Sequence, residues 1–142
     1  MDTLLGSFSV QDRKQINAPF GVQIRNKLHH GEDSYFRQRP EVTGMAAEDD
    51  VVILNPYSSL SHKEKQAVIR NEASRIFMRK SGIRPAFDLT NEQRAQFVGT
   101  DYENNEQAIR ETIAARIYSG DPTAKNPTPE QLDFVNQLRR AE

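Results

Sequence analysis

Apolar positions repeat with helical spacing only in the second part of the chain, from residue 61 onward. The clearest example follows Ser61, where the apolar residues fall three and four positions apart on one face: Ile69, Ala73, Ile76 and Phe77. Ser61 and Glu64 have the spacing of a capping box, in which each side chain binds the other residue's backbone N–H. A basic last turn and Gly82 supply a stop signal. The pattern therefore predicts a helix that begins after Ser61 and ends before Gly82.

Three further segments carry start and stop signals of the same kind. The predicted N-terminal caps are Thr90, then Asn104 or Asn105, and then Thr128. Glutamine three residues after each threonine completes a capping box. The predicted buried positions are Phe97 in the second helix, Ile109, Ile113 and Ile117 in the third, and Leu132, Val135 and Leu138 in the fourth. Glu106 and Arg110 are spaced to form an ion pair within the third helix.

Residues 1–60 lack this periodicity, and we expect them to form a long, extended and largely irregular N-terminal arm. The one apolar run, Val51–Leu54, is rich in β-branched residues and favours a short strand. A strand needs a partner, and no convincing one is evident in this half, since Gly21–Arg25 alternates only weakly. Asn55-Pro56-Tyr57 then predicts a rigid turn, because proline disfavours helix at the residue before it.

The predicted fold class is therefore mainly α: a small bundle of about four short helices at residues 61–142, preceded by the arm at residues 1–60. A hydrophobic content of 36% and a mean hydropathy of −0.76 indicate a modest core. The net charge of −1 gives no overall field that attracts nucleic acid or an anionic membrane. The chain contains no cysteine, which excludes disulfides and thiolate sites. An acidic second residue and short apolar runs argue against a signal peptide or a membrane span, so synthesis in a cytoplasm is expected.

No motif typical of a catalytic, metal or cofactor site occurs in the sequence. His29–Asp33 contains four residues of ligand type, but adjacent side chains rarely face one ion, and a solvated turn is the simpler interpretation. Glu48–Asp50 is expected to be a polar flank of the apolar run, and His62 to be a first-turn residue beside capping serines. We therefore expect no enzymatic activity, no catalytic residues, no metal and no cofactor.

Two sets of residues are candidates for binding. Arg75, Arg79 and Arg84 lie on and after the first helix and are predicted phosphate or partner contacts, because guanidinium groups match phosphate geometry. A solvated helix face is the alternative, since acidic residues lie among them. The second set consists of aromatic residues of the arm, which would fill pockets on neighbouring subunits or fold back over the chain's own helices: Phe8, Phe20, Tyr35 and Phe36.

Three stretches, "DDVVILNPYSSLSHKEKQAVIRNEASRIFMRK", "PAFDLTNEQRAQFVGTDYENNEQAIRETIAARIYSGDP" and "PTPEQLDFVNQL", together resemble small, mostly uncharacterised proteins encoded by tailed bacteriophages and prophages. The resemblance extends from Asp49 to Leu138 and brings no catalytic motif with it. It implies a structural component of a virion, in a head, neck or tail layer, whose partners are other virion proteins and copies of itself. The alternative from the residues is a small cytoplasmic regulatory module that binds nucleic acid or a host protein.

Overall fold

The computed structural model describes residues 19–24, 28–46 and 51–142, and it is mostly helical. Its α-helices are α1 (Glu32–Arg37), α2 (His62–Ser81), α3 (Asn91–Ala95), α4 (Glu106–Ser119) and α5 (Pro129–Ala141). A short 3-10 helix (Pro19–Gly21) and three strands, β1 (Gln23–Ile24), β2 (Gly44–Ala46) and β3 (Val51–Leu54), precede α2. The protein is thus mainly helical, as predicted, with a small sheet in addition. Within these residues no helix combines the length and the apolar character that crossing a membrane requires.

The sheet has β3 at its centre. β1 pairs with it in parallel, with Gln23 opposite Val51, and β2 pairs antiparallel, with Gly44 opposite Leu54. The expectation that the Val51–Leu54 strand has no convincing partner in this half of the chain is therefore wrong. The partner strands are two and three residues long, too short to show a period of two, so their strand character comes from pairing with β3 rather than from local propensity.

One hydrophobic cluster joins the sheet and α1 to one face of α2. Its buried members are Val22, Phe36, Val52, Ile53, Leu54, Ile69, Ala73 and Ile76. The predicted apolar stripe of α2 is confirmed by the burial of its Ile69, Ala73 and Ile76. Because residues before and after position 61 fill this cluster together, the described part of the N-terminal segment packs on the helical part of the same chain.

A second cluster lies among α2, α4, α5 and their connections. Its larger buried members are Met78, Phe87, Leu89, Phe97, Ile109, Ile113, Tyr118, Val135 and Leu138. Phe20 touches both clusters, since its ring stacks on Phe77 at a centroid distance of 4.5 Å and lies 5.5 Å from Tyr118. Phe20 has a left-handed backbone (φ 63°), which is uncommon for a bulky residue. The stacking holds this conformation in place.

The predicted helix starts are confirmed, as are the ends of α2 and α4, whereas α3 stops at Ala95, so the buried Phe97 follows this helix and does not belong to it. Complete capping boxes are formed by Ser61 with Glu64, by Thr90 with Gln93 and by Thr128 with Gln131. Of the two asparagines considered for α4, Asn105 is the cap, because its side-chain oxygen accepts the N–H of Ala108 at 3.0 Å. Gly82 and Gly120 end α2 and α4 in the left-handed conformation that favours glycine.

The buried face of α5 differs from the prediction. Val135 and Leu138 are buried as predicted, but Leu132 is 41% exposed and Gln131 is buried in its place. A polar residue can take the inward position because the Gln131 amide donates hydrogen bonds to the carbonyl of Asp88 and to the side-chain oxygen of Gln93. The periodicity of apolar residues therefore gave the second and third inward positions of α5 correctly and the first one wrongly.

The predicted ion pair within α4 is also wrong. Glu106 instead accepts three hydrogen bonds of 3.0–3.2 Å from Arg94 of α3. Arg110 turns toward the segment before α3, where its Nε donates to the carbonyl of Phe87 at 2.8 Å. Tertiary partners with better geometry thus replace the neighbour four residues away, whose contribution on an exposed helix is small.

Candidate functional site

Arg75, Arg79 and Arg84 line one surface groove between α2 and α4. Residues 75 and 79 are one helical turn apart on α2 and share a face. Arg84 joins them because the chain reverses at Gly82, whose φ is +74°. The groove has a volume of about 430 Å³ and also contains Glu72, Tyr102, Asn105, Gln107 and Glu111. We call it the arginine groove.

Arg75 is held in place by two side chains. Its Nε donates to Asn71 Oδ1 at 2.8 Å and its Nη1 donates to Thr112 Oγ1 at 3.3 Å. The side chain of Arg79 is exposed and takes part in none of the hydrogen bonds or ion pairs seen among the described residues, and its charge acts on the Glu72 carboxyl only at longer range. The groove therefore combines one ordered guanidinium with one that has its full donor set available to a ligand.

Two carboxylates reduce the positive charge of the arginine groove to a formal +1, from three arginines and two glutamates. Glu111 Oε2 lies 3.5 Å from Arg84 Nη1, an ion pair in which the arginine is largely exposed. Burial raises the pKa of Glu72, and the nearby charges of Arg75 and Arg79 lower it by less. An anion entering the groove therefore competes with carboxylates that already face the arginines.

Tyr102 supplies an aromatic surface to the same groove. It is 39% exposed, and its ring lies 6.2 Å from that of Phe97, which anchors it to the core. Asn105 is committed to capping α4, and Gln107 donates to the carbonyl of Pro85 at 3.2 Å. Sequence patterns did not single out Tyr102, because it lies in the connection between α3 and α4, where no periodicity marks it.

The aromatic candidates of the arm lie in different environments. Phe8 is outside the described residues. Phe36 is completely buried between α1, the sheet and α2, and Phe20 is partly buried against Phe77. Tyr35 is 38% exposed. The structure therefore does not bring these residues together, and of the three described ones Tyr35 has the open surface.

Two tyrosines of the N-terminal segment each contact an arginine, and we call these contacts the tyrosine–arginine pairs. The Arg39 guanidinium carbon lies 4.2 Å from the centroid of the Tyr35 ring. Arg37 lies 5.3 Å from the ring centroid of Tyr57 and donates to its hydroxyl at 3.0 and 3.3 Å. Asp33 accepts hydrogen bonds from both the Tyr57 hydroxyl and Arg37. The hydrogen bond to Tyr57, followed by the charge of Asp33, raises the pKa of Arg37.

Asn55 positions the segment that carries these pairs. It is buried, and its Nδ2 donates to the carbonyls of Val42 at 2.7 Å, Arg39 at 2.9 Å and Phe36 at 3.4 Å. Its Oδ1 accepts the backbone N–H of Tyr57 at 2.9 Å, so the predicted turn at residues 55–57 is present. A single amide thus ties the end of α1, the loop before β2 and Tyr57 to one another.

In the described part of the chain, no group of three or more histidine and acidic side chains is arranged to hold a metal ion. Asp33 is engaged by Arg37 and Tyr57, and Glu32 accepts a hydrogen bond from the backbone N–H of His29. His62 is the first residue of α2, as expected. The acidic residues 48–50 lie outside the described ranges.

Comparisons of this chain with protein-family models, with curated protein sequences and with solved structures gave no match in any of the three. A function therefore has to be argued from the surfaces themselves. Two of them carry exposed aromatic and arginine side chains together: the arginine groove and the tyrosine–arginine pairs.

Proposed function

We propose that this chain is a non-enzymatic structural component of a tailed-phage virion, located in the particle after synthesis in the host cytoplasm. It would assemble with other virion proteins and with copies of itself through its N-terminal segment. The observation that carries the proposal is that Tyr35 and Tyr57 are 38% and 39% exposed there, each in contact with an arginine. The resemblance of residues 49–138 to proteins of tailed bacteriophages supplies the biological context.

The physical argument concerns the cost of ordering side chains at an interface. Tyrosine and arginine are enriched among the residues that contribute most to binding between proteins. Tyr57 is already fixed by hydrogen bonds to Asp33 and Arg37, and Tyr35 lies against Arg39. A partner that covers these rings does not have to immobilise them, because contacts within the chain already do so. The entropic cost of association is therefore lower.

Mass spectrometry of purified particles tests the proposal. We expect the chain to be present in particles, and a variant with both Tyr35→Ser and Tyr57→Ser to be incorporated at least several-fold less while keeping its helical circular dichroism. Leu132→Ser is the matched control, because Leu132 is similarly exposed but lies on α5. Absence of the chain from particles, or equal incorporation of the double variant, contradicts the proposal.

A second candidate function, binding of nucleic acid by a small cytoplasmic regulatory module, is favoured by one specific observation. Arg75, Arg79 and Arg84 share a groove with the exposed ring of Tyr102. Guanidinium groups bind phosphates, and an aromatic ring stacks on an unpaired base. Single-stranded nucleic acid fits this combination better than a duplex, whose bases are not available for stacking.

Titration of single-stranded RNA and duplex DNA over a salt series tests this second function. If the protein neutralises three phosphates, a plot of the logarithm of the binding constant for single-stranded RNA against the logarithm of the salt concentration has a slope of about −2. Arg79→Gln is expected to make this slope less steep by at most about 1 unit. Lys125→Gln removes the same charge from an exposed position outside the groove and is expected to leave the slope unchanged. No binding at low salt contradicts this function.

A further inference from the structure

The segment between α2 and α3 is neither helix nor strand, yet its residues alternate as a strand does. Its buried residues are Pro85, Phe87 and Leu89, and the exposed ones are Arg84, Ala86 and Asp88. Such a period of two is typical of extended chain with one face in the core. We call residues 83–89 the extended segment.

Side chains of α4 bind one edge of the extended segment. Gln107 Nε2 donates to the carbonyl of Pro85 at 3.2 Å, and Arg110 Nε donates to the carbonyl of Phe87 at 2.8 Å. The two carbonyls belong to residues two positions apart, as expected for an extended chain in which alternate residues direct their backbone groups to the same side. The α4 edge is therefore occupied.

The opposite edge faces α5, and it is only partly occupied. The N–H of Asp88 donates to Glu130 at 3.0 Å, and its carbonyl accepts from Gln131 at 3.0 Å. Ala86 lies two residues earlier, so the same alternation directs its N–H and C=O to this side. Those two groups have no hydrogen-bond partner within the described residues. The extended segment thus presents one unpaired donor and one unpaired acceptor next to α5.

An open groove of about 760 Å³ lies at this edge, between the extended segment and α5. Phe134 of α5 is half-buried and packs edge to face on Phe87, with ring centroids 5.9 Å apart. These rings provide an apolar floor beside the free backbone groups of Ala86. An apolar side chain entering the groove would cover Phe134 and remove its remaining surface from water.

The groove has opposite charges at its two ends. Asp88 contacts Glu130 at the start of α5 and the preceding Phe87 contacts Phe134 one turn later, so the extended segment and α5 run in opposite directions. Glu130 and Asp133 therefore lie at one end, and Arg84 and Arg140 at the other. The distance between the ends is about 13 Å, the length of four residues of extended chain. The segment and nearly three turns of α5 frame a site with the length of a short strand.

We propose that this groove binds an extended peptide segment of another protein, which adds as a strand to the extended segment and pairs with the N–H and C=O of Ala86. Strand addition of this kind takes its affinity from backbone hydrogen bonds and its selectivity from side-chain pockets. The bound peptide carries an apolar residue over Phe134, an acidic residue near Arg140 and a basic residue near Asp133. This site is separate from the tyrosine–arginine pairs, so it stands independently of the proposed virion role.

A capped pentapeptide, acetyl-Lys-Thr-Val-Thr-Glu-amide, is the probe, titrated into the ¹⁵N-labelled full chain and followed by nuclear magnetic resonance. We expect saturable shifts in the groove and slower solvent exchange of the Ala86 amide. The same peptide methylated on the valine nitrogen loses one backbone hydrogen bond and should bind about tenfold more weakly. Because the methyl group is on the peptide, this comparison does not depend on the folding of a protein variant.

Charge reversal tests the polarity of the groove. Arg140→Glu should weaken binding of the probe several-fold, and acetyl-Lys-Thr-Val-Thr-Lys-amide should recover the loss on that variant. Lys125→Glu changes the same kind of charge outside the groove and should leave both affinities unaltered. The inference is overturned if shifts do not saturate, if they occur only in the arginine groove, if methylation has no effect, or if the exchanged peptide fails to rescue Arg140→Glu.

Discussion

Gln93 and Gln131 exchange two hydrogen bonds of 2.8 Å, in which each side-chain amide donates to the oxygen of the other. Both are the third residue of a helix, and both oxygens also accept the N–H of the capping residue, Thr90 or Thr128. The two capping boxes are therefore joined through a buried amide pair. The stretches "TNEQ" (residues 90–93) and "TPEQ" (residues 128–131) are similar because each forms a capping box. In the fold, the glutamines of the two boxes also bind each other and so connect α3 with α5.

We expect that removing one glutamine of this pair destabilises the folded protein. Gln131→Ala deletes a capping hydrogen bond and leaves the amide of Gln93 buried without its partner, so we expect a loss of about 3 kcal/mol in the free energy of unfolding. Urea denaturation followed by circular dichroism measures it. Gln137→Ala on the exposed side of α5 is the control and should change stability by less than about 0.5 kcal/mol. If Gln93→Ala and Gln131→Ala are additive in a double-mutant cycle, the pair is not coupled.

Asn55→Ala should destabilise the N-terminal segment. It leaves the carbonyl of Val42 and the N–H of Tyr57 without a partner inside the protein, and the carbonyl of Arg39 with the N–H of Val42 alone, at an expected cost of about 3 kcal/mol. Asn55→Asp should cost more, because it places a carboxylate against the same carbonyls. Hydrogen exchange should show faster opening around Tyr57, and Asn136→Ala on exposed α5 serves as the control. Unchanged exchange in Asn55→Ala contradicts the role assigned to this amide.

Gly44→Ala tests the close approach between β2 and α2. A Cβ at this position would lie 2.9 Å from the carbonyl oxygen of Ile53 and 3.0 Å from Val68 Cγ1. We expect a loss of about 2 kcal/mol in thermal or urea unfolding, since overpacking forces neighbours to move. Adding Val68→Ala removes one of the two clashes and should recover part of the loss. A fully stable Gly44→Ala protein would mean that the strand moves freely on the helix.

Glu72 gives stability a pH dependence opposite to that of most surface carboxylates. Burial raises its pKa above the ordinary value of 4.5 in the folded state. Its favourable contribution is therefore complete below the unfolded pKa and is lost as pH rises through the folded pKa. Glu72→Gln mimics the protonated form, so it should be more stable than the natural protein at pH 7 and equal to it near pH 3. Equal stability of the two proteins at both pH values contradicts this account.

Glu106 should behave in the opposite way. Hydrogen bonds from Arg94 lower the pKa of Glu106 below its ordinary 4.5. Its contribution is present above the unfolded pKa and disappears as pH falls through the folded pKa. Glu106→Gln should therefore reduce the acid sensitivity of unfolding below pH 4.5, with a small effect because the pair is exposed. Titration of Glu106 by carbon-detected nuclear magnetic resonance measures the shift directly.

In the helical part of the chain the starts of the helices were predictable from the sequence, and their buried faces were less so. Ser61, Thr90 and Thr128 were recognised as caps because a capping box joins residues three positions apart. On α5 only the first inward position was wrong, because apolar periodicity gives no reason to place Gln131 inside and Leu132 outside. The buried amide is compatible with the core only through its partners Gln93 and Asp88, which are 38 and 43 residues away.

The candidate binding surfaces, too, were predictable from the sequence only in part. The clustering of Arg75 and Arg79 follows from helical spacing, and sequence reasoning found it. The exposed ring of Tyr102, the contacts of Arg37 with Tyr57 and the free edge at Ala86 were not found. Each of these features depends on which element, distant in sequence, packs next to the residue. Neither apolar periodicity nor capping motifs carry that information.

The sequence by itself thus determined where α2 to α5 begin and where α2 and α4 end, because the groups that satisfy a helix terminus lie within four residues of it. The short α1, whose N-terminus no side chain caps, was not predicted. Tertiary structure alone decided the partners of β3, the burial of Asn55 and Gln131, and the environments of Phe20 and Phe36. A short strand or a buried amide is stable only when groups from remote segments complete its hydrogen bonds. In this protein those groups come from both sides of residue 61, and the packing of α2 against the sheet brings them together.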